Sequence, residues 1–273
     1  MKNRPISNEP RCGVSADPLK VPGLVAFWDF QAAEGEGFVS QGACRYRLHE
    51  CGGSISPVAD GVFGAQAIRL GDGGWLRGLR ADCPALNYHG PQAKFTVVAW
   101  IKRHRGAHAG CEAVAGMWNE HGMRQYCLFL NLRIHGSAEQ VGAHVSAHGG
   151  ATPGEKYCME AAIGATAVPL DIWQCVAMTY DGVRACAWLD GRADLRGDRN
   201  PLAHPDGIFD GGPAGADFTV GAVLRPEWVD EERNPHGTVM ANRYQGLLGG
   251  LAVFDRDLTA WEIQALGDNI HGK

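Results

Sequence analysis

The run 173–191, WQCVAMTYDGVRACAWLDG, constrains this chain more than any other stretch, because it reads as two alternating strands around Asp181-Gly182 and closes on a second turn, Asp190-Gly191. Asp-Gly favours a reversal, since glycine takes positive φ at no steric cost and aspartate bonds to the backbone of the turn. A tight reversal between alternating strands means antiparallel pairing. The same apolar alternation recurs at 24–30, 66–70, 94–102, 113–118, 125–133, 140–147, 218–223 and 245–254. The thirty-eight glycines and fourteen prolines fall between these runs, as turns joining short strands require. Short, evenly punctuated strands predict an all-β sandwich or barrel. Thr259-Ala260-Trp261-Glu262 is a capping-box pattern, so a short helix is expected from there to about Leu266.

A length of 273 residues fits one all-β domain, and no linker-like stretch divides it. We read a polar N-terminal arm over residues 1–20 and a single domain over 21–273. Net charge is −5 with lysine and arginine scattered, which leaves no basic stripe for a phosphate backbone and excludes nucleic acid as a partner. No apolar run approaches the ~18 residues that span a bilayer, and the first twenty residues hold no apolar signal core. The nine cysteines are an odd number without a CxxC pair. Cys175 and Cys186 share a hairpin, where a two-residue turn would set them diagonally at ~7–8 Å. That exceeds the ~6.8 Å limit between Cα atoms of a disulfide. Reduced core thiols follow, and with the missing signal core they point to a cytoplasmic compartment.

Gly23-Leu24-Val25-Ala26-Phe27-Trp28, Phe95-Thr96-Val97-Val98-Ala99-Trp100, the 173–191 hairpin and the closing stretch 246–266 together resemble the laminin-G-like, concanavalin A-like lectin-glucanase jelly-roll superfamily. The resemblance covers roughly residues 21–267. It implies a concanavalin A-like jelly-roll β-sandwich of two antiparallel sheets with a short C-terminal helix, a saccharide groove on the concave sheet and, against the cysteine argument, an extracellular setting. It also implies a structural calcium in many members, helped by an acidic residue at the start of the last strand. Leu248-Gly249-Gly250 stand there instead, so no calcium and no other cofactor is assigned. Asp29 and Asp72 could offer oxygens elsewhere, but Asp72-Gly73 reads as a plain turn.

Alternation identifies the face that would line a groove. Along 125–133, Tyr126, Leu128, Leu130 and Leu132 form the apolar side, leaving Gln125, Cys127, Phe129, Asn131 and Arg133 opposite. Along 140–147, Val141, Ala143, Val145 and Ala147 oppose Gln140, His144, Ser146 and, just beyond, His148. If the strands are neighbours these polar sides form one surface, which Trp100 and Lys102 would extend. Aromatic rings beside amides and imidazoles suit a sugar, with ring faces for its C–H groups and donors and acceptors for its hydroxyls; the alternative is a solvated sheet face. The densest chemistry precedes this surface, in Trp118, Glu120, His121, Arg124 and Gln125, and is expected as a loop at the sheet rim. For Trp118 burial habit favours a core plug over a binding role. The glycine-rich segment 148–157 is expected to curve over the same region and bring Tyr157.

His144 and His148 stand four residues apart, ~13 Å along a strand, too far to share one metal. No Glu-x-Asp-x-x-Glu run supplies the two carboxylates of a retaining glycosidase, and Glu112, Glu139 and Glu155 are not spaced with Glu120 on a strand. No Gly-x-Ser-x-Gly appears. A polysaccharide lyase acting on a uronic-acid glycan stays open, since Arg124, Gln125, Asn131, His144 and Tyr157 are the residue types such lyases use. The leading expectation is a lectin-like carbohydrate-binding module that performs no catalysis. A laminin-G-type protein-interaction module ranks second and the lyase third. Edge strands leave a homodimer open.

Overall fold

Alternating apolar residues build two antiparallel sheets that close over one core. A computed structural model of the chain describes residues 15–31, 37–105, 110–232 and 234–270. In chain order the strands are β1 (Leu24–Trp28), β2 (Phe38–Val39), β3 (Arg47–Cys51), β4 (Ile55–Val58), β5 (Ala67–Leu70), β6 (Trp75–Gly78), β7 (Phe95–Arg103), β8 (Glu112–Asn119), β9 (Met123–Leu130), β10 (Gln140–Val145), β11 (Ala161–Ala167) and β12 (Gln174–Tyr180). They continue as β13 (Arg184–Leu189), β14 (Arg192–Ala193), β15 (Leu202–Ala203), β16 (Phe218–Val220), β17 (Val223–Arg225), β18 (Trp228–Val229), β19 (Pro235–His236), β20 (Val239–Ala241) and β21 (Gly246–Phe254), followed by helix α1 (Ala260–Gly267). One sheet runs β14-β13-β12-β7-β21-β5-β4, with β1 on β21 and β15 on β13. The other runs β11-β10-β9-β8-β16-β6-β3-β2, with the β17–β20 pair beside β8. The protein is a β-sandwich.

Between the sheets lie Val97, Ile101, Val176, Met178, Leu251 and Val253 from the first and Met117, Tyr126, Leu128, Leu130, Val141 and Val145 from the second, all buried. Each large aliphatic side chain so buried contributes about 1.5–3 kcal/mol. Arg103, at the end of β7, ties the two sheets together. Its guanidinium is fully buried and donates to Glu112 of β8 at 2.6 and 3.4 Å and to Glu139 at 2.6 Å. A buried charge is costly unless paired, so this arginine commits both carboxylates to structure.

The strands missed by alternation have identifiable reasons. Arg47–Cys51 buries only Leu48 fully, and Ile55–Val58 carries Pro57, which a sheet edge accepts because no inward N–H is needed there. Ala161–Ala167 has little β propensity of its own and is a strand because it pairs with β10. The hairpin at Asp181-Gly182 turns over four residues, since Tyr180 pairs with Ala185 and Asp181 N donates to Arg184 O. Thr179 therefore stands opposite Cys186, and Cys175 lies four residues farther, ~13 Å along the strand. The eight cysteines among the described residues are all free, and Cys12 lies outside them.

Helix α1 starts on a complete capping box, with Thr259 accepting from Glu262 N and Glu262 accepting from Thr259 N. Its Ile263 and Leu266 cover the outer face of the first sheet, over Trp100, Cys175, Ala177 and Trp188. Trp100 and Lys102 belong to this sheet, so they do not extend the β9–β10 face as alternation alone suggested; only strand pairing decides which sheet a run joins. The expected arm is tied down from Ala16 onward, where Ala16 N donates to Ala265 O and Asn269 Nδ2 to Ala16 O. Residues 1–14 lie outside the described residues.

Candidate functional site

The outer face of the second sheet carries a cavity of about 260 Å³. That is larger than the roughly 150 Å³ of an engineered protein cavity that takes up benzene, and so enough for a small organic ring. Its floor follows from strand register: β9 and β10 are neighbours, with Cys127 opposite His144 and Phe129 opposite Gly142. Gly142 leaves room for the side chain of Leu132, which folds back over the sheet and would have to shift for a Cβ. Three rings stand around the small floor residues. Trp118 and His144 lie 4.3 Å apart between centroids, and Phe129 is 5.7 Å from each. Leu132 and Ile134 follow β9, Tyr157 and Cys158 come from the segment before β11, and Asn242 follows β20.

Two polar atoms of these residues have no hydrogen-bond partner among the described residues. His144 Nε2 lies 3.1 Å from the carbonyl oxygen of Cys158. A carbonyl only accepts, so Nε2 carries the proton and Nδ1 offers a lone pair. That Nδ1 is buried and unbonded. Trp118 Nε1, an obligate donor, is likewise buried and unbonded. Each unpaired buried group costs about 1–3 kcal/mol. Both residues are nearly inaccessible to solvent, at 2% for Trp118 and 6% for His144.

The rim is charged. Arg124 lies over the Trp118 ring at 5.9 Å, donates to Gly149 O at 3.4 Å and stands 3.9 Å from Glu120. Glu120 accepts from Asn242 Nδ2 at 3.1 Å. Burial first, and the Arg124 charge second, hold the His144 imidazole down to about 3, so it stays neutral across physiological pH. Burial pushes the Cys158 thiol up to about 11 and raises Cys111 as well, which keeps both protonated and poor nucleophiles. Among the described residues no group of three or more His, Cys, Asp or Glu side chains could hold a metal ion.

Of the residues singled out from sequence, Trp118, Glu120, Arg124, His144 and Tyr157 come together at the cavity. Four do not. Gln125 is fully buried and spent on structure, accepting from Arg80 at 2.6 Å and donating to Asn87 and to Tyr88 O. Asn131 ends β9 at φ 55°, donating to Gly110 O and accepting from Arg133. His121 sits on the turn, its Nε2 3.3 Å from Thr238 Oγ1. His148 is exposed, because β10 stops at Val145 and the alternation ends with it. Leu132 likewise leaves the inter-sheet core for the outer face once β9 stops at Leu130. The expected rim loop shrinks to Glu120-His121-Gly122, since β8 runs through Trp118 and β9 begins at Met123. Phe129 was placed on this face by alternation without being singled out; Asn242 carries no sequence signal, being brought in by a distant ribbon.

No protein-family model matches the chain, and no curated protein matches its sequence. Solved structures do. Domain 4 of AbnA, a GH43 extracellular arabinanase from Geobacillus stearothermophilus determined with arabinotriose, superposes with a TM-score of 0.54 at 15% identity, over 89% of this chain and 98% of that one. Trypanosoma rangeli sialidase in complex with sialic acid gives 0.58 at 16% identity over 94% of this chain. The binding domain of Paraclostridial Mosquitocidal Protein 1 gives 0.56 at 12% identity over 90% of this chain. The chain spans 35% of the sialidase and 52% of the toxin domain. At such identities the likeness is one of fold, two antiparallel sheets packed as a sandwich.

Proposed function

We propose that this chain is a carbohydrate-binding module of concanavalin A-like, jelly-roll build, which takes a sugar residue into the cavity on its β8–β10 face and performs no catalysis. The observation that carries the reading is the cavity itself, walled by the rings of Trp118, Phe129 and His144 with Arg124 and Glu120 at its rim. Sugar C–H faces pack on such rings, while sugar hydroxyls find donors in a guanidinium and an acceptor in a carboxylate. The arabinotriose in complex with domain 4 of AbnA, whose whole length superposes on this fold, supports the same reading.

Chemistry on the cavity walls argues against turnover. Glu120 is the single carboxylate among the lining residues, whereas glycoside hydrolysis generally uses two. A lyase needs a base poised near the working pH, and His144, held near 3, is too weak to abstract a proton at neutrality. The reading is tested by screening the purified chain against a glycan panel, with and without calcium, that includes uronic-acid polymers and follows ultraviolet absorbance for unsaturated products. Retention of a glycan by the chain, lost in Trp118→Phe and Arg124→Ala variants that fold normally, is expected. Product release would promote the lyase. Silence on every glycan would overturn the saccharide reading and favour a protein ligand.

A further inference from the structure

We propose that Trp228 is an outer platform of this site, on which a second sugar residue of a neutral oligosaccharide stacks while the first occupies the cavity. This inference rests on the saccharide reading above. The Trp228 side chain is 56% exposed at the tip of the β17–β20 ribbon, in the β18–β19 hairpin. Its ring is nevertheless held. It stacks on His236 at 4.1 Å between centroids and 12° between planes, and His236 Nε2 lies 2.9 Å from Asp230 Oδ2. Asp230 in turn accepts from Asn234 N at 2.7 Å. Backing by the imidazole and substantial exposure leave indole surface for a ligand. An oriented, exposed aromatic suits the C–H face of a sugar and loses little conformational entropy on binding.

The ribbon is fastened to the cavity rim rather than free of it. Glu120 N donates to Leu224 O at 2.9 Å, Asn242 Nδ2 donates to Glu120, and Thr238 Oγ1 meets His121 Nε2 at 3.3 Å. Trp228 lies four residues beyond Leu224, so its Cα is within ~14 Å of that anchor at full extension. A short oligosaccharide bridges that span. In sequence the tip carries Glu227, Asp230, Glu231 and Glu232 against Arg225 and Arg233, and so is acidic on balance. Carboxylates at this density repel a polyanionic chain, which selects a neutral one.

The test uses the full chain and its Trp228→Ala variant, with arabinose through longer arabinan, xylose through xylan, glucose through β-glucan, and oligogalacturonates as probes. Exposure of Trp228 means the variant should keep its thermal midpoint. The expected result is tighter binding of neutral oligomers than of their monosaccharide by the native chain, with Trp228→Ala losing about tenfold on oligomers and nothing on the monosaccharide. Unchanged oligomer affinity in the variant, equal loss on monomer and oligomer, or a preference for oligogalacturonate would overturn the platform and leave the cavity reading standing. Silence of the native chain on every probe, including the monosaccharides, would defeat both.

Discussion

The outer faces of the two sheets treat tryptophan in opposite ways. On the first sheet every indole N–H is used: Trp100 donates to Leu266 O at 3.1 Å, Trp188 to Thr179 Oγ1 at 3.0 Å and Trp173 to Asp60 at 2.9 Å. Helix α1 closes over that face with Ile263 and Leu266. On the second sheet Trp118 is as deeply buried, yet neither its N–H nor the neighbouring His144 Nδ1 has a partner among the described residues. The first face is covered by the chain's own helix. The second keeps a cavity beside two buried polar atoms that find no partner among the described residues.

The largest expected effect tests the sealed face. Trp100→Ala removes a fully buried side chain and the bond to α1, and should cost about 3–5 kcal/mol in denaturant unfolding. A loss under about 1 kcal/mol would mean α1 is loosely held and the contrast is false.

Acid should act through the open face. An unfolded histidine titrates near 6.5, whereas His144 in the fold titrates at about 3. Between those values the unfolded chain binds a proton that the folded chain refuses, so this group's stability is complete above about pH 6.5 and falls as pH drops toward 3. Urea midpoints should show about 2–3 kcal/mol less stability at pH 4.5 than at pH 7, and His144→Gln should remove that increment. An unaltered pH profile in the variant would show that His144 is not buried as described.

A matched pair sharpens the comparison directly. Trp100→Phe and Trp118→Phe delete the same atoms, but only the first breaks a hydrogen bond, and Leu266 O keeps Asn269 Nδ2 as a donor. Trp100→Phe should therefore be less stable than Trp118→Phe by roughly 1 kcal/mol, while Trp118→Phe alone weakens glycan binding. Equal stabilities would indicate that the Trp118 N–H has a partner after all. The smallest effect is on titration: Arg124→Ala removes the charge that helps hold His144 down, so the imidazole should titrate higher by NMR while the fold stays intact. A fixed titration would place Arg124 too far away to matter.

Much of this was legible in the amino-acid order. Period-two alternation located the long strands, Asp181-Gly182 marked the hairpin, and Thr259-x-x-Glu262 marked the helix, because backbone geometry and capping act over a few residues. Alternation also put His144 and Phe129 on the right face of their strands. It failed where strands stop, at His148 and Leu132, since a strand ends through pairing and backbone turns such as Asn131 at φ 55°. It failed too for Gln125, whose amide is consumed by Arg80 and Asn87 from a distant segment.

What the sequence determined by itself was a sandwich of antiparallel strands and the stretch around Trp118–Tyr126 where its chemistry gathers. Which sheet each strand joined was decided in three dimensions, as was the arrival of Asn242 and Cys158 beside Trp118 and the lack, among the described residues, of a partner for His144 Nδ1. The physical reason is range. Propensity, alternation and capping are properties of neighbours along the chain, whereas register, burial and hydrogen-bond satisfaction depend on segments that meet only when the sheets close.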